Sequence, residues 1–290
     1  MKHFLYLPAV AVAGVLSASL SGPAQAIVGG TNTNDFMVVG NGVQITANWV
    51  LTARHLGLLA GGSFSNGYGS SSIAAVYNAA SGVFPIDDLT LLRLDNAIAG
   101  APQMSLSSTL LAPTTALDVA VTLVTDNVQT PRGFAHAQWR EVVTTIDDDN
   151  DINTPEVQVN WLVMYDNSYG VPYVQGGDSG GGLFLGHVTD HSSPLLGIAS
   201  AQLSDITGPN SNTFASAYVQ LAPYRNWIDS VMALDLSDGQ TALWVATPVP
   251  EAATWAMWAA GLAGLAGLVG TVRRTSGQRP RRPGAHHSST

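Results

Sequence analysis

The stretch Gly176-Gly177-Asp178-Ser179-Gly180-Gly181-Gly182, GGDSGGG, sets a carboxylate and a hydroxyl among five glycines in a chain of 290 residues. Glycine turns sharply and lets the backbone approach a neighbour closely, so the string places Ser179 on a tight turn. Alone it also fits an ordinary glycine-rich loop. Its meaning depends on what the rest of the chain supplies. A serine hydroxyl is a poor nucleophile until a nearby base takes its proton, and a histidine base needs a carboxylate to hold its ring.

Both groups lie upstream. Trp49-Val50-Leu51-Thr52-Ala53-Arg54-His55 ends an apolar run on a histidine, and Asp88-Leu89-Thr90-Leu91-Leu92-Arg93-Leu94 opens one on a carboxylate. Taken singly, these are a strand end and a strand start. Taken together, with His before Asp before Ser, the three strings resemble the chymotrypsin/trypsin-like serine endopeptidases. The likeness runs from about Ile27 to Leu234 and includes the start Ile27-Val28-Gly29-Gly30, the strand Leu196-Gly197-Ile198-Ala199-Ser200 and a closing helix with Trp227-Ile228.

The resemblance implies an all-β fold of two packed antiparallel six-stranded barrels, about 27–110 and 117–220, with a C-terminal helix over 222–234. It also implies roles. Ser179 is the nucleophile, His55 the base and Asp88 the residue that orients it, with Asp87 as the competing carboxylate. The amides of Gly177 and Ser179 form the oxyanion hole, and Ser200 supports the triad carboxylate. The free amine of Ile27 pairs with Asp178 to order the oxyanion loop. Tyr173, six residues before the nucleophile, and Gln202 line the primary pocket. An acidic floor is needed to pair a basic substrate side chain, so Tyr173 points instead to small apolar side chains.

Several positions depart from the family pattern. Only 28 positions separate Ile27 from His55, so the first hairpin of the amino-terminal barrel is shortened or missing. Arg54 stands for the usual alanine, Leu56 for the usual cysteine and Gly182 for a common proline. None removes a catalytic group, which favours a working endopeptidase over a catalytically inactive surface or binding protein on the same fold. A periplasmic quality-control serine protease is the other alternative.

The ends carry their own signals. Lys2 and His3, the apolar run Leu5–Leu20 and the small residues Ala24-Gln25-Ala26 have the layout of a secretory signal peptide over 1–26. A retained membrane anchor is the competing reading. Signal peptidase would cut before Ile27, so export itself would expose the activating amine. Near the other end, Ala252–Val272 carries no charge and is long enough to span a bilayer, and arginines follow it. A buried core helix competes with the transmembrane reading. Together with Val249-Pro250-Glu251-Ala252, segment 251–282 resembles the PEP-CTERM sorting signal of Gram-negative bacteria, which an exosortase processes; a plain anchor is the alternative. Residues 27–237 then form the protease domain, 238–250 a linker and 283–290 a tail.

Composition narrows the partners. Between Ile27 and Pro250, five arginines face 19 carboxylates, a net of −14. A nucleic-acid partner needs a basic face, so the expected partners are protein or peptide substrates, with membrane contact only through the C-terminal segment. There is no cysteine, so no disulfide or thiolate metal site is expected. The run Asp147-Asp148-Asp149-Asn150-Asp151 lacks the glycine and glutamate of a calcium loop and reads as a charged hairpin tip. No metal or cofactor is expected. The site of action is outside the cytoplasm: periplasm, cell surface or medium.

Overall fold

The computed structural model describes residues 4–5, 26–79, 84–112, 119–126, 132–139, 141–146, 157–164, 172–204, 214–235 and 239–247. The chain divides into two compact units, Met1–Val249 and Pro250–Thr290, and all described residues lie in the first. The 251–282 segment, the rest of the leader and the Asp147–Asp151 run lie outside the described residues. Among the described residues, no helix is long and apolar enough to cross a membrane.

Three two-residue strands come first: β1 (Phe4–Leu5), β2 (Ile27–Val28) and β3 (Thr31–Asn32). The first sheet follows, with β4 (Val43–Gln44), β5 (Trp49–Thr52), β6 (Ser63–Asn66), β7 (Gly69–Asn78) and β8 (Thr90–Leu94). Its strand order is β4-β5-β8-β7-β6, all antiparallel. Strand side chains alternate between faces, and both faces here are covered. Leu51 and Leu91 enter the main core, whereas Val50 and Leu92 join Phe64, Ile73, Leu94 and Ile98 in a second cluster. Two buried faces explain why WVLT and LTLL are unbroken apolar runs.

This sheet has five described strands, not the six expected. Phe36–Val39 is not a strand of this sheet but a turn with one bridge between Val39 and Val43. Phe36 has a φ of +53°, which no strand residue adopts, and its ring is buried against Phe134 and Phe184. Packing overrides the local β preference there, in the region already too short for a full hairpin.

The larger sheet contains β9 (Ser105–Ser107), β10 (Val119–Thr125), β11 (Gly133–Trp139), β12 (Glu141–Ile146), β13 (Val157–Met164), β15 (Gly182–Leu185), β16 (Leu195–Ser204), β17 (Phe214–Gln220) and β18 (Leu243–Val245). Its main path is β12-β13-β17-β16-β15-β10-β11-β3, with β1 and β9 on β16 and β18 on β9. β14 (Tyr173–Val174), between β13 and β15 in the chain, pairs with β2 in a separate two-stranded sheet. The fold is two barrels, with one short α-helix among the described residues, α1 (Arg225–Met232). Pro223 sits in the single 3-10 turn before it, where its missing N–H does no harm, and Ile228, Val231 and Met232 turn into the core.

The stretch expected as a linker is partly ordered. β18 runs parallel to β9, in register from Leu243–Ser105 to Val245–Ser107. Hydrogen bonds extend this strap on both sides. Gln103 Nε2 donates to the Thr241 carbonyl at 2.7 Å, the Ser108 N–H to the Val245 carbonyl at 2.9 Å and Trp244 Nε1 to Asp229 Oδ1 at 2.8 Å.

Candidate active site

His55, Asp88 and Ser179 are brought together, each by a feature of its own element. In the first sheet Thr52 is paired with Thr90. The turn that follows β5 therefore leaves the same sheet edge from which Asp88 enters β8. That turn is a 3-10 helix, Arg54–Leu56, closed by Gly57 at φ +62°, a conformation that suits glycine. The His55 N–H donates to Asp88 Oδ1 at 2.8 Å, and the ring Nδ1 lies 2.7 Å from Oδ2.

Ser179 lies on the loop between β14 and β15. The Asp178 N–H donates to the Gln175 carbonyl at 3.0 Å and the Gly181 N–H to the Asp178 carbonyl at 3.1 Å. Gly177 and Gly180 have φ of +98° and +87°. A methyl group on Gly180 would stand 2.6 Å from the Asn41 carbonyl oxygen, and one on Gly181 2.5 Å from that of Val124. The glycines thus serve both turning and close approach. The loop is tied to β16 by Gly180 N–H to the Ala199 carbonyl and Ala199 N–H to the Gly181 carbonyl. Ser179 Oγ then lies 2.8 Å from His55 Nε2.

A third arm reaches Asp88 from the second barrel. The register between β16 and β17 slips between Ala199 and Ala201, so Ser200 is the extra residue of a bulge. Bulges re-aim side chains. Ser200 Oγ donates to Asp88 Oδ2 at 2.6 Å. Asp88 is almost fully buried, and a buried carboxylate requires such partners. The His55 ring remains partly open, with 28% of its side-chain surface accessible. Phe84 packs edge-on against it, with ring centroids 5.2 Å apart.

Asp87 does not meet His55; its Oδ1 accepts from the Tyr224 hydroxyl at 2.7 Å. Among the described residues, the N–H groups of Gly177 and Ser179 meet no acceptor. Asp178 is buried and accepts from Thr125 Oγ1 at 3.1 Å and from the Gln175 N–H at 2.8 Å. Ile27 is fully buried, as is Ala26 to which it is joined, and β2 is paired with β14 through Ile27 and Val174. The Tyr173 ring lies on Phe214, with centroids 4.8 Å apart, and Val174 N–H donates to Ser216 Oγ at 2.9 Å. Gln202 is cross-strand from Ser216.

Tyr224, Thr125 and Phe214 carried no signal of these contacts in the chain, because each meets its partner across a long separation. Among the described residues, no three His, Cys, Asp or Glu side chains gather to hold a metal. Away from the site, His136 and His187 stack with centroids 4.8 Å apart, and His136 Nδ1 lies 3.1 Å from Thr122 Oγ1. Burial first, and then the charge of His187, hold His136 below the ordinary imidazole range.

Residues 12–228 match the protein family described as Trypsin. No curated protein matches the chain by sequence. Many solved structures are similar, two of them as follows. One is a mutant of human heparin binding protein, 16% identical at a TM-score of 0.48, covering 72% of this chain and 97% of that one. The other is the secreted serine protease VesC from Vibrio cholerae, 17% identical at 0.48, covering 72% of this chain. The match spans 47% of VesC.

Proposed function

The chain belongs to the trypsin family, and on that premise we propose that it is an exported serine endopeptidase working through His55, Asp88 and Ser179. One observation carries the reading: the His55 ring bridges Asp88 Oδ2 at 2.7 Å and Ser179 Oγ at 2.8 Å. In the reaction, Ser179 Oγ attacks the carbonyl carbon of the scissile bond while its proton passes to His55 Nε2. Asp88 holds the ring and stabilises the imidazolium. The N–H groups of Gly177 and Ser179 receive the negative oxygen of the tetrahedral intermediate, a contribution worth about 3 kcal/mol per donor. His55 then gives the proton to the leaving amine, and Ser179 retains the acyl group. Water, deprotonated by His55, attacks the acyl carbon, the ester bond breaks and the proton returns to Ser179.

The finer readings follow the same line. Tyr173 and Gln202 border the primary pocket, with the Tyr173–Phe214 pair shortening it, and select small apolar side chains. Signal peptidase cuts after Ala26, and the released Ile27 amine pairs with Asp178, so no separate propeptide step is needed. Segment 251–282 holds the enzyme at the membrane until an exosortase or similar peptidase releases it. Profiling a peptide library with residues 27–249 tests the activity. Cleavage that follows small apolar residues and vanishes in Ser179→Ala supports the reading. Hydrolysis that persists in Ser179→Ala removes Ser179 from the mechanism, and dominant cleavage after arginine overturns the pocket assignment.

A further inference from the structure

Asp87, the residue before the buried carboxylate, has an unusual backbone. Its φ is +45°, a region sparsely occupied by non-glycine residues and costing about 1 kcal/mol or more. Its carbonyl accepts from the Leu89 N–H at 2.6 Å, so the chain folds tightly around Asp88. Across the molecule stands Tyr224, 137 residues later, in the 3-10 turn that opens α1. Its ring is 8% exposed, and its N–H is fixed on the Leu221 carbonyl at 2.9 Å. Burial first, and then the hydrogen bond to Asp87, push the Tyr224 hydroxyl well above the ordinary tyrosine range. The group is therefore held in its protonated form, as a donor.

We propose that Tyr224 and Asp87 are a positioning pair: the Tyr224 hydroxyl locks Asp87 in its left-handed turn, and that turn aims the Asp88 carboxylate at His55. Neither residue touches reacting atoms. Their influence passes through Asp88, whose Cα lies about 3.8 Å from that of Asp87. Rotation of the unlocked turn would displace the carboxylate by an amount comparable to the roughly 1 Å misplacement that can lower a rate 100-fold. The inference rests on the serine protease reading.

Labelling kinetics with a serine-directed phosphonate provide the test, because the dependence of rate on probe concentration separates the maximal rate from the half-saturating concentration. Wild-type labelling with none in Ser179→Ala establishes the reading; if the wild type fails to label, the protease reading falls, not the pair alone. Given labelling, Tyr224→Phe lowers the maximal rate about tenfold, near the loss of one hydrogen bond, and leaves the half-saturating concentration within about twofold. Asp87→Asn keeps the acceptor and tolerates positive φ, so it stays within about twofold of wild type. Asp87→Gly permits the turn but loses the bond, so it slows like Tyr224→Phe, and the double variant is no slower than either single one. The pair is refuted by wild-type rates in Tyr224→Phe, by multiplicative losses in the double variant, or by Asp87→Asn falling as far as Asp87→Gly. Where Tyr224→Phe does not fold, the contrast between Asp87→Asn and Asp87→Gly decides alone.

Discussion

Asp88 gathers three donors from two barrels: the His55 N–H, the His55 ring and the Ser200 hydroxyl. The last is the arm most easily removed. Ser200→Ala leaves the fold and the two His55 contacts but takes one bond from a buried charge, so kcat/KM is expected to drop about tenfold, close to 1.4 kcal/mol. Steady-state kinetics with the best library peptide measure it. A second residue-scale expectation concerns acid. His136 binds a proton less readily in the fold than in the unfolded chain, so the unfolded state carries more protons as pH falls. Stability is therefore complete above the unfolded value of about 6.5 and declines as pH drops toward the folded value. Melting curves from pH 8 to 5 should flatten in His136→Gln; an unchanged slope contradicts the assignment. At this scale the short strings were readable because each chemical group has few substitutes. Asp88 over Asp87 was readable from its place beside the apolar run, whereas Tyr224, the partner that occupies Asp87, is joined to it only by the fold.

At the scale of elements, the same three strings work because strand registry and a bulge converge on one point. The Thr52–Thr90 register carries His55 and Asp88 off one sheet edge, and the slip at Ser200 turns a strand residue toward the other barrel. The apolar runs of β5 and β8 were legible from the sequence. Phe36–Val39 was not, since its aromatic residue is buried through a positive φ instead of a pleat. β18 was also missed: its parallel partner β9 is remote in the chain, and no local periodicity marks such a pairing. This strap predicts the true edge of the catalytic unit. Ending the chain at Leu234 removes the Arg93–Asp235 ion pair at 2.5 Å together with the bonds around Thr241, Trp244 and Val245. At about 1 kcal/mol per bond and roughly 2–4 °C per kcal/mol for a domain of this size, residues 27–234 should melt about 10 °C below residues 27–249. Equal melting temperatures would reduce the strap to an ornament.

On the scale of the whole molecule, the beginning of the protease domain is an internal part of its core. Ala26 and Ile27 are both fully buried, and Ile27 packs with Val174, Ala199 and Tyr218. A peptidase needs an extended, accessible bond, so the proposed cut before Ile27 would have to precede folding. Protein that begins at Ile27 should then be far more active than folded protein that retains residues 1–26; equal activity would detach the amino terminus from activation. The expectations about activity all depend on Ser179 being an activated nucleophile. Intact-mass and peptide-mapping analysis of residues 27–249 after reaction with a serine-directed phosphonate measures that directly. The account predicts one adduct per chain, on Ser179, lost in His55→Ala. No adduct on a folded protein, or an adduct on another serine, would contradict it.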